Sequence, residues 1–301
     1  MLASRGKPEW LKIKPPDGKF PELKQILKER SIVTVCEESH CPNIPECWSG
    51  GTATFMVLGD TCTRACRFCS TKTGFTRIPP DSAEPENVAT AVAKMKLDYA
   101  VITSVDRDDL PDQGAGHFAK CIRAVKELDS SIIVEVLIPD FRGNRDCIRT
   151  IVDAQPEVIA HNIETVKRLQ GKVRDPRAGY EQSLSVLAIA KELNPKIYTK
   201  SAIMAGFGET DEEIIQTMQD LRAINVDMLT IGQYLRPSSW HLPVAAYIPP
   251  EKFKFYEEKG KELGFLYVAA GPFVRSSYKA GELFMKNVIR RERKEDFLNT
   301  I

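Results

Sequence analysis

Six short and nearly unbroken apolar runs lie between residues 53 and 232, and each of the first five is followed by a stretch with apolar residues at helical spacing. The runs lie at 53–58, 99–103, 132–138, 158–160, 196–204 and 227–232. They do not alternate polar with apolar residues, so both of their faces are covered, as in a parallel sheet flanked by helices. The stretches between them predict helices over 85–97, 117–128, 145–154, 181–193 and 210–224. In the first of these, Val88, Ala91, Val92 and Met95 share one face. Thr210 and Glu213 have the spacing of a capping box and open the last. The pattern specifies an α/β chain. Periodicity alone leaves an open doubly wound sheet and a closed or partly closed barrel as alternatives.

The polar residues bear on that choice. Cys62, residues 104–109, Asp140, residues 161–164, Ser201 and residues 233–236 are expected at the C-terminal ends of strands. In a barrel-like sheet those ends share one face, and that face carries the chemistry. Outside the repeat, residues 1–19 read as an irregular arm. Phe20, Leu23, Ile26 and Leu27 suggest a short helix ending near Arg30, residues 32–35 an extended piece, and 39–51 a loop. Residues 234–250 read as loop and 252–263 as helix. An apolar run then precedes Arg275, Ser276, Ser277 and Tyr278. The expected organisation is an N-terminal extension over 1–52, a core over 53–245 and a C-terminal extension over 246–301.

Hydrophobic content of 43% and charged content of 28% suit a globular protein. A net charge of +1 gives no argument for nucleic acid. No apolar run reaches the roughly 18 residues of a membrane span. Residues 1–19 lack the apolar stretch of a secretory signal, so the expectation is a cytoplasmic chain with reduced thiols. In such a chain clustered cysteines are better read as metal ligands than as disulfides.

Six of the eight cysteines form two triplets around the first strand. Cys36, Cys41 and Cys47 are spaced C-x4-C-x5-C, and Cys62, Cys66 and Cys69 are spaced C-x3-C-x2-C. Three thiolates are one short of a closed structural zinc site and of an ordinary four-cysteine iron–sulfur cluster. A cubane tolerates the shortage, because each thiolate serves a different iron and one iron stays open. Cys121 and Cys147, in helical segments, read as buried structural thiols. His40 reads as a loop histidine, and His117, His161 and His241 lack zinc spacing. Trp48 beside Cys47 reads as a shield for the site.

A C-x3-C-x2-C triplet directly after the first strand of a βα series, with Phe68 before its last cysteine, resembles the radical SAM superfamily. The segments at 36–69, 102–115, 160–166, 198–210, 230–238 and 271–278 further resemble the lipoyl synthase family. That likeness covers essentially the whole chain after the N-terminal arm. Its most specific parts are the first triplet and the Arg-Ser-Ser-Tyr tetrad.

The resemblance implies a partial (β/α)6 TIM-like barrel of the radical SAM type with N- and C-terminal extensions. It implies two [4Fe–4S] clusters and S-adenosyl-L-methionine. Cys62, Cys66 and Cys69 would hold the cluster whose open iron chelates S-adenosylmethionine. One electron then yields a 5′-deoxyadenosyl radical. Two such radicals would allow sulfur insertion at C6 and C8 of an octanoyl-lysine. Unactivated C–H bonds are beyond side chains that work near neutral pKa, so a radical route is required. Cys36, Cys41 and Cys47 would hold an auxiliary cluster that is the sulfur source, with Ser277, or its neighbour Ser276, on the fourth iron. Serine oxygen is a hard ligand for a soft site, which suits a cluster that must open.

Ser104, Asp106, Asn162 and Met204 are expected in the S-adenosylmethionine pocket, Gly206 and Glu209 in a glycine-rich turn beside the adenine, and Arg174 against a carboxylate or the carrier peptide. Implied partners are an octanoylated lipoyl carrier protein (an H protein or an acyltransferase lipoyl domain), an electron donor such as ferredoxin or flavodoxin, and iron–sulfur assembly proteins. The sequence departs from the family pattern at Ala202, Arg236 and Ala246. Two other readings stand beside this one: a radical enzyme inserting sulfur into a free small molecule, and a non-catalytic protein with zinc-bound triplets.

Overall fold

The computed structural model describes residues 8–11, 24–25, 27–28, 33–38, 41, 43–44, 47, 54–277 and 279–300. The predicted runs become strands β2 (Thr54–Val57), β5 (Tyr99–Ser104), β6 (Ile133–Leu137), β7 (Val158–Ala160), β8 (Tyr198–Ala205) and β9 (Met228–Gln233). They pair in that order, all parallel. β1 (Val33–Thr34) adds an antiparallel edge beside β2. The two-residue strands β3 (Thr61–Cys62) and β4 (Lys72–Thr73) form a separate parallel pair. β10 (Tyr267–Gly271) joins β9 in parallel, with Gly271 opposite Gly232. The curved sheet is not closed: among the described residues β1 and β10 do not pair. This is a partial barrel.

Helices cover the outside: α1 (Glu84–Lys94), α2 (Ala115–Leu128), α3 (Arg145–Val152), α4 (Tyr180–Leu193), α5 (Asp211–Ala223) and α6 (Pro250–Glu262). α1 buries Val88, Ala89, Ala91 and Val92 against Phe55 and Val57. α5 opens on the expected capping box, with both reciprocal bonds of Thr210 and Glu213 made. Glu84 ties α1 to the sheet, accepting from Leu58 N (2.8 Å) and meeting His117 Nε2 of α2 (2.6 Å). Cys121 and Cys147 are buried free thiols.

Several expectations need correction. The run before Arg275 was expected only as an apolar stretch; it is a seventh parallel strand. A long helix, α7 (Lys279–Thr300), follows it. Met285 and Ile289 of α7 pack on Tyr99, Ile133, Val158 and Met228, the first residues of their strands. The helix thus closes the N-terminal end of the barrel. Just inside, Lys200 and Glu135 form a buried ion pair (2.6 Å), and Tyr99 Oη donates to Glu135 (2.6 Å). Ser201 is not at a strand end. It lies within β8, fully buried, where its hydroxyl donates to His161 O (2.9 Å) and accepts from Ile163 N (3.1 Å). Cys36 follows β1 in a helical turn (Val35–Glu38). Ile44 and Cys47 are helical where a loop was expected, and Cys47 N donates to Asn43 O (2.9 Å). Phe20, Leu23, Ile26, Arg30, His40, Trp48 and Tyr278 lie outside the described residues. Among the described residues no helix is long and apolar enough to cross a membrane.

Candidate active site

The C-x3-C-x2-C loop leaves β3 at Cys62 and returns through β4, and the surrounding segments fix its backbone. Thr63 N donates to Asp106 O (3.0 Å), Ala65 N to Asp175 Oδ2 (2.9 Å) and Arg67 N to Val173 O (2.9 Å). Arg67 O accepts from Leu242 N (3.1 Å), and Cys69 O meets His241 Nε2 (2.9 Å). Asp175 N donates to Cys66 Sγ (3.3 Å), and Arg64 N to Cys62 Sγ (3.4 Å). Burial pushes the thiols of Cys62 and Cys66 up to about 12 and that of Cys69 upward as well. Three crowded thiols at low water content hold their protons until a cation replaces them.

Behind the loop lies a charge network that sequence reasoning missed. The Arg64 guanidinium, 3% exposed, donates twice to Asp140 (2.6 and 2.7 Å) and twice to Asp108 (2.9 and 3.0 Å). Asp106 stands 3.3 Å from Arg64 and its Oδ2 is 3.8 Å from Cys62 Sγ. Burial, with Asp140 and Asp108 nearby, outweighs Arg64 and pushes the Asp106 carboxyl up to about 6. Burial raises Asp108 too, but bonds from Arg64, Arg142 and Thr63 override it and pull the carboxyl down to about 2. Asp175, chelated by Arg177, is held well below the ordinary carboxylate range. In the sequence its parts appear only separately, as an arginine inside the cysteine motif and as acidic residues expected at strand ends.

Both triplets face one cavity of about 520 Å³ at the C-terminal ends of the strands. Cys36, Cys41, Cys47, Cys62, Cys66 and Cys69 all line it, as do Ser276 and Ser277. Two features seat the tail there. Gly232, next to the end of β9, sits where a Cβ would lie 2.1 Å from Val274 O, so only glycine lets the tail cross so closely. Asn43 Nδ2, between the first two cysteines of the earlier triplet and its last, donates to Phe273 O (2.6 Å). That single bond joins residues 230 apart in sequence.

The remaining predicted residues divide. Ser104, Asp106, Asn162, Arg174 and Met204 line the cavity. Ser104 Oγ, Asn162 Oδ1, Arg174 Nε and Thr230 Oγ1 are buried there without a hydrogen-bond partner. Orphaned buried polar atoms are costly and rare. Donors and acceptors clustered on one wall beside three thiols fit a polar, zwitterionic group bound on an open iron. Arg174 donates to Gln170 Oε1 (3.2 Å) and Ser183 Oγ (2.7 Å). Gly206 and Glu209 do not line the cavity. Glu209 accepts from the backbone N–H groups of Gly206, Phe207 and Gly208 (2.9–3.1 Å), so it shapes the turn. Gly206 has φ +122°, and a Cβ there would strike Gln233 and Ala246 O.

His161 and Glu164 also line the cavity. His161 Nδ1 lies 2.8 Å from Ile138 O, which can only accept, so Nδ1 carries the proton. Nε2 therefore accepts from Ser183 Oγ (2.9 Å), whose oxygen accepts from Arg174. Burial, then Arg174, pulls His161 down to about 4 and keeps it neutral. Among the positions that depart from the family pattern, Ala202 lines the cavity, Ala246 O accepts from Gln233 Nε2 (3.1 Å), and Arg236 donates to His241 O (2.8 Å).

Comparison with known proteins gives consistent results. A profile of the radical SAM superfamily matches residues 56–221. The chain is 58% identical over 296 residues to the lipoyl synthase of Halobacterium salinarum, covering 96% of this chain and 94% of that one. It is 57% identical over 290 residues to the chloroplastic lipoyl synthase of Ricinus communis, covering 94% and 80%. Among solved structures it resembles the FeFe-hydrogenase maturase HydG from Carboxydothermus hydrogenoformans, with TM-score 0.55 and 13% identity over 89% of this chain and 78% of that one. It also resembles methylornithine synthase (PylB), with TM-score 0.53 and 11% identity over 86% and 80%. At such identities these two structures speak for the fold alone.

Proposed function

The chain belongs to the lipoyl synthase family of the radical SAM superfamily, and from that premise we infer how its two cysteine triplets divide the reaction. It is a sulfurtransferase that inserts two sulfur atoms, at C6 and C8, into the octanoyl-lysine of a lipoyl carrier protein. The superfamily's cofactors are a [4Fe–4S] cluster and S-adenosylmethionine. When bound, they supply a carbon radical able to take a hydrogen atom from an unactivated C–H bond.

In our reading Cys62, Cys66 and Cys69 hold three irons and leave the fourth for the amine and carboxylate of S-adenosylmethionine. Ser104, Asn162, Thr230 and Arg174 present their unpartnered atoms to that molecule, and Met204 packs beside it. The Arg64 network with Asp106, Asp108 and Asp140 fixes the loop from behind. Gly206 and Glu209 act one step away, by shaping the turn after β8. Cys36, Cys41, Cys47 and Ser277 hold a second cluster, which is consumed as the sulfur substrate. The observation that supports this most is that both triplets and the tail serines open on one cavity. That arrangement would let a carbon radical supplied on one side act on a substrate carbon beside the sulfur source on the other, while the buried walls exclude water. Eight free cysteines suit a reducing compartment such as the cytoplasm. Ferredoxin or flavodoxin would deliver electrons, and iron–sulfur assembly proteins would rebuild the consumed cluster. Both the H protein and acyltransferase lipoyl domains are candidate carriers.

The test is anaerobic incubation of reconstituted protein with an octanoyl-lysyl peptide, S-adenosylmethionine and a strong reductant. Gain of two sulfurs in place of two hydrogens is expected. Cleavage of S-adenosylmethionine with no sulfur entering the peptide would refute the reading.

A further inference from the structure

We propose that two loops at the cavity mouth, residues 67–80 and 235–249, form the docking surface for an acidic face of the octanoylated carrier protein. The proposal rests on the function above, which requires a tethered chain to be delivered into the cavity by a folded domain. The mouth lies between these loops: Phe68, Ser70 and Thr71 line the cavity from one, and Leu235, Arg236 and Pro237 from the other. The loops are tied together at their base through Leu242 N to Arg67 O and His241 Nε2 to Cys69 O. Arg107 Nη2 holds the far side through Ile78 O (2.8 Å).

On that fixed base, apolar side chains project into solvent. Phe75 is 89% exposed, Ile78 74% and Trp240 56%, the three most exposed large apolar side chains among the described residues. Exposed apolar side chains on loops that also line a site mark a surface for a partner, and aromatic residues with arginine are its usual anchors.

Charge identifies the partner's chemistry. Over the whole chain 42 basic residues nearly balance 41 acidic ones. The two loops instead carry Arg67, Lys72, Arg77 and Arg236 and no carboxylate. Asp60, opposite Lys72 at 3.5 Å, offsets one of these cations weakly at the surface. Arg67 and Arg77 have no carboxylate partner among the described residues, and Arg236 bonds only to carbonyl oxygens. A cationic rim around apolar anchors selects an acidic partner and speeds its arrival, in a manner that salt screens. Because the backbone is already pinned, docking does not have to order it first.

The test compares the reconstituted chain with its Phe75→Ala/Arg77→Glu/Ile78→Ala variant, three positions that do not line the cavity. Binding of an octanoylated lipoyl domain is measured by fluorescence anisotropy at low and high salt. The variant is expected to bind at least about tenfold more weakly, equivalent to roughly 1.4 kcal/mol, and with a smaller salt dependence. Trp240→Ala, on the opposite loop, is expected to weaken binding as well. Conversion of a short octanoyl-lysyl peptide should be unchanged in both variants. Equal binding of the domain by wild type and variants, or no binding by wild type, overturns the docking surface. Failure of wild type to convert the peptide would instead count against the function, since binding is read without turnover.

Discussion

Around Cys62, Cys66 and Cys69, residues from five other parts of the chain bind the loop: Asp106 and Asp108, Asp140, the 173–177 turn, Thr73 of β4, and His241 with Leu242. Among the described residues around Cys36, Cys41 and Cys47, the backbone bonds include Cys41 N to Cys36 O and Cys47 N to Asn43 O. A long-range tie there, among the described residues, is Asn43 to Phe273 O, on the segment that carries the two serines. The later triplet is thus built into the scaffold. The earlier one is tied, through Asn43, to the tail that carries Ser276 and Ser277. On the proposed division of labour, the many bonds around the later triplet suit a cluster that is kept through every turnover.

The sharpest way to break the comparison is to remove one thiolate from each side. Cys66→Ala should abolish 5′-deoxyadenosine formation and sulfur insertion together. Cys41→Ala should abolish sulfur insertion while 5′-deoxyadenosine still forms. Equal loss of nucleoside formation in both would show that the two sites do not divide the work.

Next in size is Arg64→Met. It strands Asp108 and Asp140 without their buried cation, which should cost about 3–5 kcal/mol in denaturant unfolding of the metal-free protein. A cost no larger than that of a surface substitution would mean that the loop is not braced from behind.

His161 gives a smaller effect with a definite sign. Its folded pKa, about 4, lies below the ordinary value of 6.5. The unfolded chain therefore takes up the proton first, and stability is lost as pH falls from 6.5 toward 4. Between pH 7 and 5 the loss should be roughly 2 kcal/mol in urea titrations of the metal-free protein. His161→Gln should flatten that slope, and an unchanged slope would contradict the neutral, proton-donating histidine derived from its bonds.

The smallest effect is on the other triplet. Asn43→Ala removes one hydrogen bond, worth about 1 kcal/mol, but it should also lower the iron bound near the tail. The iron held by Cys62, Cys66 and Cys69 should be unchanged. Iron analysis alongside electron paramagnetic resonance separates the two.

The repeat was legible because its strands are apolar on both faces and its helices on one. The same logic failed at Ser201, where a small hydroxyl inside an apolar strand gave no sign that it would bind two backbone groups from β7's far end. β10 was read only as an apolar run because five residues, Tyr267–Gly271, carry too little pattern without their partner strand. α7 was missed because charge surrounds it almost completely, and Met285 and Ile289 gain meaning only against the barrel's end. The clustering of six cysteines was legible from spacing, and the structure brings all six to one cavity. The Arg64 network and the Asn43–Phe273 bond were not, because each joins loops that only the folded sheet brings together.

The central claim is tested most directly by the fate of labelled sulfide. Protein rebuilt with heavy-isotope sulfide in both clusters is given one turnover on octanoyl-lysyl peptide, in buffer free of added sulfide. The account predicts heavy sulfur at both carbons, with iron released from the site of Cys36, Cys41 and Cys47 and retained at Cys62, Cys66 and Cys69. Product carrying only light sulfur, or iron leaving the later triplet instead, would contradict it.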